Sequence, residues 1–289
     1  MSKKSHALIS PTAIDIAFVR SYSGIPYARE IFELLENKKG GFASYSQKTS
    51  LDDYSGIPKR LLPYFEARYK TLDWIITKSK VKNVLEIAAG LSPRGLNMAK
   101  NKKIHYVETD LADMMGFKKK IAQKILKRKG VKRDNLHFLV VDALDGKKLL
   151  KAASIFKAGP VAVINEGLLR YLSLIEKEIL AKNIHAILKK YGGFWATPDI
   201  RLKSDIRDVK RSLEISKRHS KVTGTDIFEN MFLDMEDAIS FFNRMGFRVE
   251  VCKLIDFKKL TLPKRLGISK REYAEERVSS RVTFKMTVK

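Results

Sequence analysis

The chain has 289 residues, 44% hydrophobic and 9% aromatic, values that exclude wholesale disorder and permit one large buried core. A single cysteine, Cys252, excludes an internal disulfide framework and suits a reducing compartment; in the apolar run "FRVEVCKLI" it reads as a small buried hydrophobe. Lys and Arg outnumber Asp and Glu 57 to 32, a formal charge of +25, so the surface attracts acidic small molecules, nucleic acid or anionic membrane.

The start, "MSKKSHALISPTAIDIAF", has no unbroken apolar run of the kind a secretion signal needs. No stretch approaches the ~18 apolar residues that span a bilayer, so a cytoplasmic protein with no membrane partner is expected. Helical patterns occupy 12–20 and about 27–36. The Gly/Ser/Lys-rich "ENKKGGFASYSQKTSLDDYSG" then reads as a mobile loop. Residues 58–79 form a long helical pattern carrying Leu61, Leu62, Phe65, Tyr69, Leu72 and Ile76.

From there strands alternate with helices: strands at 83–87, 103–107, 136–141 and 160–164, helices at 93–101, 113–129, 146–157 and 174–190. Residues 100 to 133 hold twelve Lys and Arg against three acids. Within them Ile121, Ile125 and Leu126 keep helical spacing, so "FKKKIAQKILKRKG" reads as an amphipathic helix with a solvated basic face rather than a dedicated nucleic-acid patch. "GGFWATPDI" at 192–200 gives a fifth strand. A helix at 234–245 stops at Gly246, and strands at 247–254 and 280–288 close the pattern. Such alternation predicts βαβ units in a mostly parallel seven-stranded sheet, with helices on both faces and an antiparallel last strand.

Sheets of this kind bind ligands beyond the carboxyl ends of their strands. Those ends are Ala88–Gly90, Glu108–Asp110, Asp142–Leu144 and Asn165–Gly167, and three of the four carry an acid. Glu86 sits inside the first strand. Ala88-Ala89-Gly90 lets a ligand approach the main chain. Ser92 is placed to cap the next helix, with Pro93 at its first position. Asp110 is placed to accept hydrogen bonds from a ribose diol, and Asp142 to meet an adenine amino group. A pyrophosphate-bearing dinucleotide wants G-x-G-x-x-G, whereas this chain supplies A-x-G-x-x-x-G. A cationic sulfonium needs fewer glycines and tolerates more acids, which favours S-adenosylmethionine over NAD. His6, His105, His137, His185 and His219 show no metal-ligand spacing, so no metal is expected.

Several stretches resemble the leucine carboxyl methyltransferase family, a branch of the class I S-adenosylmethionine-dependent methyltransferases that includes polyketide O-methyltransferases. "SPTAIDIAFVR" resembles its N-terminal Thr-Ala…Arg segment and "ARYKTLDWII" its Arg-bearing helix before the first strand. "VLEIAAGLSPRGL" resembles the glycine-rich motif, "YVETDLADMMGFKKKI" the Glu-Val-Asp strand end, and "INEGLLRYLS" the Glu-Gly-Leu-x-x-Tyr-Leu motif after strand four. The resemblance runs in order over residues 10 to 190. Ala88 replaces the family's first glycine and Ser92 the Asp after Gly-Leu; alanine fits there if its φ is negative.

The resemblance implies a Rossmann-like class I methyltransferase fold in a single domain, with residues 1–80 as a helical lid. Insertions at 200–232 and 256–279, which carry Arg201, Lys203, Arg207, Lys210, Arg211, Lys264 and Arg265, lie on the substrate side. It implies that Arg20 and Arg68 hold the methionine carboxylate and that Glu86, Ala88, Gly90 and Leu111 line the cofactor. Asp110 takes the ribose, Asp142 and Ala143 face the adenine, and Glu166 and Tyr171 stand near the methyl donor as the catalytic pair. The leading expectation is O-methylation of a small molecule at a carboxylate or hydroxyl. An RNA-directed methyltransferase and a non-catalytic cofactor-binding protein are the alternatives.

Overall fold

A computed structural model describes residues 11–36, 59–206, 226–275 and 281–289. The Gly/Ser/Lys-rich loop (from residue 37), His6, His219, and Arg207, Lys210 and Arg211 of the first insertion lie outside the described residues. Seven strands form one sheet: β1 Asn83–Ile87, β2 His105–Asp110, β3 Leu136–Val140, β4 Val161–Asn165, β5 Gly193–Thr197, β6 Phe247–Lys253 and β7 Val282–Val288. Their order is β3-β2-β1-β4-β5-β7-β6, with β7 antiparallel to both its neighbours and every other pairing parallel. The alternation of patterns predicts this mostly parallel seven-stranded sheet, and it is the Rossmann-like class I methyltransferase arrangement that the resemblance implies.

The order reverses between β1 and β4, both buried along their full length. Successive side chains point to opposite faces. Val84, Tyr106 and Ala162 therefore pack with Phe18, Leu62, Leu72, Ile121 and Ile125 on one side. Leu85, Val107, Val163 and Trp195 pack with Leu149, Leu180, Ile184 and Phe242 on the other. The first layer comes from α1 (Pro11–Ser21), α2 (Ala28–Glu36), α3 (Leu62–Ser79), the short α4 (Arg94–Met98) and α5 (Ala112–Arg128). The second comes from α6 (Gly146–Ala153), α7 (Leu174–Tyr191) and α8 (Met235–Arg244).

Local chemistry sets the helix ends. Ser173 and Glu176 form a reciprocal capping box at the start of α7, the kind of cap worth about 1 kcal/mol, and Gly192 ends that helix at φ 71°. On α5 the apolar stripe is buried as its spacing predicts, while Lys119, Lys120, Lys124 and Lys127 face solvent. Lys118 is the departure: it points inward and pairs with buried Glu108 at 2.6 Å.

Two departures from the sequence expectation bear on the site. The second strand starts at His105 rather than residue 103, because Asn135 Nδ2 donates to the carbonyls of Ala99, Asn101 and Ile104 and holds that stretch as a turn. The shift makes Asp110 the last residue of β2. The 256–279 insertion contains two short helices, α9 (Leu262–Leu266) and α10 (Lys270–Glu275), and buried Glu66 of α3 anchors its backbone at Thr261 and Leu262.

Candidate functional site

After β1 the chain turns through Ala88 at φ 51° and Gly90 at φ 50°. The expectation of a negative φ at Ala88 is thus corrected. The turn must bend away from the sheet within three residues, and both ends of the bend use left-handed backbone. An L-residue with a Cβ pays about 1–2 kcal/mol there, which glycine avoids. Ala88→Gly is expected to raise the unfolding free energy by about 1 kcal/mol in denaturant melts; a loss of stability would show that the Ala88 methyl packs better than it strains.

The turn is tied to β2. Ala89 N–H donates to Thr109 O at 2.9 Å, and Gly90 N–H to Asp110 Oδ2 at 2.7 Å. Asp110 Oδ1 accepts from its neighbour Leu111 N–H at 2.8 Å. Burial pushes the Asp110 carboxyl up, and these two amides oppose it. Ser92 and Pro93 also differ from expectation: α4 starts at Arg94, Pro93 occupies the cap position, and Ser92 Oγ accepts from Arg94 N–H at 3.3 Å. The pyrrolidine has no N–H to donate, so the first amide available to Ser92 belongs to Arg94.

Arg94 is the hub of the site. Fully buried, it lies 4.1 Å over the Tyr69 ring. Its guanidinium donates to Glu86 Oε1, to Asp73 Oδ1 at 2.7 Å and to Glu166 Oε2 at 3.1 Å. Tyr106 completes the Glu86 carboxylate from the next strand at 2.8 Å. Burial lifts Asp73 to about 6 despite Arg94. Glu166, the first residue past β4, also accepts from Arg20 Nη2 at 2.6 Å and has Arg68 Nε at 3.6 Å. Burial alone would raise its pKa, yet Arg20, Arg68 and Arg94 together hold it below the ordinary carboxylate range. Arg68 spans to Asp199, just past β5, at 2.8 Å. Asp199 in turn gathers the N–H groups of Gly167 and Leu168 and the Asn165 amide.

The structure thus brings Arg20, Arg68, Glu86 and Glu166 into one buried network, and Ala88, Gly90, Asp110 and Leu111 into an adjoining turn. Asp142 stands one strand further out, exposed, with Oδ1 accepting Leu144 N–H at 2.9 Å; Ala143 beside it is half-buried, and its carbonyl oxygen accepts from Asn183 Nδ2 at 3.2 Å. Tyr171 closes the 3-10 turn Leu169–Tyr171 that follows Glu166. Arg94, Asp199, Asp73 and Lys118 are the members that sequence reasoning passed over, while Glu108, the partner of Lys118, figured only as a strand-end acid. Asp199 had a signal: it is the acid at the end of the fifth strand, as Asp110 is at the second. Gly95 had one too, since a Cβ there would collide with Glu108 Oε1 and come within 2.8 Å of Leu136 Cδ1. Among the described residues no His, Cys, Asp and Glu group has the makings of a metal site, and no helix is long and apolar enough to cross a membrane.

Residues 37–185 match the leucine carboxyl methyltransferase family. No curated protein is significantly similar to the chain. Among solved structures, PigF with SAH is similar over 96% of this chain and 69% of its own, at 12% identity and a TM-score of 0.50. Magnesium protoporphyrin IX methyltransferase from Synechocystis PCC 6803, with bound SAH, is similar over 94% of this chain and 99% of its own, at 10% identity and a TM-score of 0.46. At such identity the likeness to PigF is one of fold.

Proposed function

The chain belongs to the leucine carboxyl methyltransferase family, and on that premise we propose that it methylates an oxygen of a small molecule, using S-adenosylmethionine. One observation carries the reading: Arg20 and Arg68, from helices outside the βα units, converge on Glu166 at the switch in strand order. Two guanidiniums and a carboxylate complement the carboxylate and ammonium of an amino-acid end. The Ala88–Gly90 turn, with Glu86 beneath it and Leu111 beside it, supports close approach of the cofactor's middle. Asp110 is the group for the ribose, and Asp142 with Ala143 for the adenine.

When bound, S-adenosylmethionine supplies a methyl group on a positively charged sulfur. Arg20, Arg68 and Glu166 would hold its amino-acid end and Asp110 its ribose, and it would supply the methyl group for the acceptor oxygen. The protein's part is alignment and exclusion of water. Glu166, with its proton affinity lowered by three arginines, is a weak base. That favours a carboxylate acceptor, already ionised near neutrality, over a hydroxyl, for which Tyr171 is the remaining candidate base.

The first test is calorimetry with S-adenosylmethionine, S-adenosylhomocysteine and NAD; tighter binding of NAD would overturn the reading. Asp110→Ala is expected to weaken S-adenosylhomocysteine at least about tenfold, the scale of a charge-assisted contact worth about 1.5–3 kcal/mol. Unaltered affinity would remove Asp110 from the ribose role. The charge of +25 and the exposed lysines of α5 favour RNA as the second acceptor class. It predicts RNA binding that falls steeply with salt and label from the methyl donor entering RNA rather than metabolites.

A further inference from the structure

Beside this network stand three arginines with no acidic partner among the described residues. Arg170 lies in the turn Leu169–Tyr171, just past Glu166, and Arg201 is two residues beyond Asp199. Arg281 leads into β7 and places its guanidinium 4.2 Å over the Tyr64 ring. Arg68, the partner of Asp199, lies 5.5 Å over the same ring. The ring thus links Arg281 to the network that holds Glu166. Among the described residues none of Arg170, Arg201 and Arg281 has an ion-pair partner. Burial, with Arg281 and Arg170 as like-charged neighbours, depresses the Arg201 guanidinium to about 9.

Buried polar atoms in the same neighbourhood are also unsatisfied. Among the described residues Arg170 Nε, Tyr64 Oη and Tyr273 Oη have no hydrogen-bond partner. Tyr64 and Tyr273 pack in one small cluster with Leu260, between α3 and the 256–279 insertion. Lysines that solvate a helix face do not account for this arrangement, because these three cations are half-buried and close to one another, and Arg170 Nε has no hydrogen-bond partner among the described residues. Burying like charges costs stability unless something of opposite sign arrives. Arginine is also the side chain whose planar fork matches carboxylate and phosphate oxygens.

We propose that Arg170, Arg201 and Arg281 together bind a dianionic group of the acceptor, a phosphate monoester or a paired dicarboxylate. Its assignment to the acceptor rests on the methyl-transfer reading above. Three cations call for more than one negative charge. The group they hold is a handle and not the oxygen that is methylated, since lone pairs engaged by guanidinium N–H groups are poor nucleophiles. The handle orients the acceptor from the side where the Arg68–Asp199 pair meets Glu166.

The test uses the full chain saturated with S-adenosylhomocysteine, titrated at fixed ionic strength with inorganic phosphate, succinate and acetate. Binding of S-adenosylhomocysteine is measured first, in chloride alone; its failure strikes the methyl-transfer reading and leaves the anion titration to be judged by itself. Phosphate or succinate is expected to bind at least about tenfold more tightly than acetate, and whichever is tighter names the source of the dianion. Arg170→Gln, Arg201→Gln and Arg281→Gln are each expected to weaken that dianion by about tenfold or more while S-adenosylhomocysteine affinity holds. Without anion, Arg201→Gln is expected to melt about 2 °C or more above the parent, because a crowded charge is gone. If a Gln variant fails to fold, the Lys variant keeps the charge, loses the fork and is expected to show the same weakening. No dianion binding, acetate binding as tight as either dianion, or equal dianion binding by all the variants would overturn the proposal.

Discussion

Arg94→Ala is expected to lower the unfolding free energy by about 3–5 kcal/mol, the usual cost of removing one partner of a buried ion pair. The wild-type guanidinium is wholly buried and answers Glu86, Asp73 and Glu166 at once. Without it the buried Glu86 carboxylate keeps the Tyr106 hydroxyl as its hydrogen-bond partner among the described residues. Denaturant melts with an unchanged slope would give the loss directly, and a loss below about 1 kcal/mol would show that the carboxylates simply take up protons. The pH dependence has a definite sign. Asp73 binds its proton more tightly in the folded chain, at about 6 against 3.8, so its ionisation costs folded-state stability as pH rises through that window. The Arg94→Ala deficit is therefore smaller near pH 4 than at pH 7.

Arg20→Ala tests the cofactor assignment more sharply. Losing one partner of a desolvated charge pair commonly costs about 2–5 kcal/mol, so S-adenosylhomocysteine is expected to bind at least about thirtyfold more weakly. Methylthioadenosine, which lacks the amino-acid end, is expected to bind as before. Fold loss is not anticipated, because Arg68 and Arg94 still face Glu166. Equal losses for both ligands would mean a packing defect. No loss for either would mean that Arg20 serves only Glu166.

Much of the sheet is legible in the chain because apolar runs bounded by Gly, Asp and Asn have few alternatives to buried strands. β1, β3 and β4 fall within a residue of their patterns. Arg20 and Arg68 came into view through resemblance, not periodicity: in so basic a protein nothing in their spacing separates a buried cation from a solvated one. Their convergence on Glu166 is a tertiary fact. Arg94 was hidden for a related reason, as the "SPRG" stretch reads as a helix start while its side chain folds back beneath β1. The left-handed Ala88 could not be read either, since alanine usually declares the opposite backbone sign. Lys118 sits in a run of lysines, and only the neighbouring Glu108 distinguishes it.

The network around Glu166 also sets an order of events in time. Arg20 and Glu166 are 146 residues apart, Arg68 and Asp199 131, and Arg94 and Glu166 72. Contacts this distant along the chain carry their loop-closure entropy before they return any energy. On a ribosome adding about 5–20 residues per second, Arg94 waits roughly 4–14 s for Glu166 to be synthesised, and Arg20 longer. Throughout that interval β1 cannot gain its β4 neighbour, and a nascent chain already rich in cations holds Arg20 and Arg68 without their Glu166 and Asp199 partners. The site is thus among the last things the chain can acquire, and an emerging polypeptide that stalls before β4 displays a sticky, positively charged half-sheet.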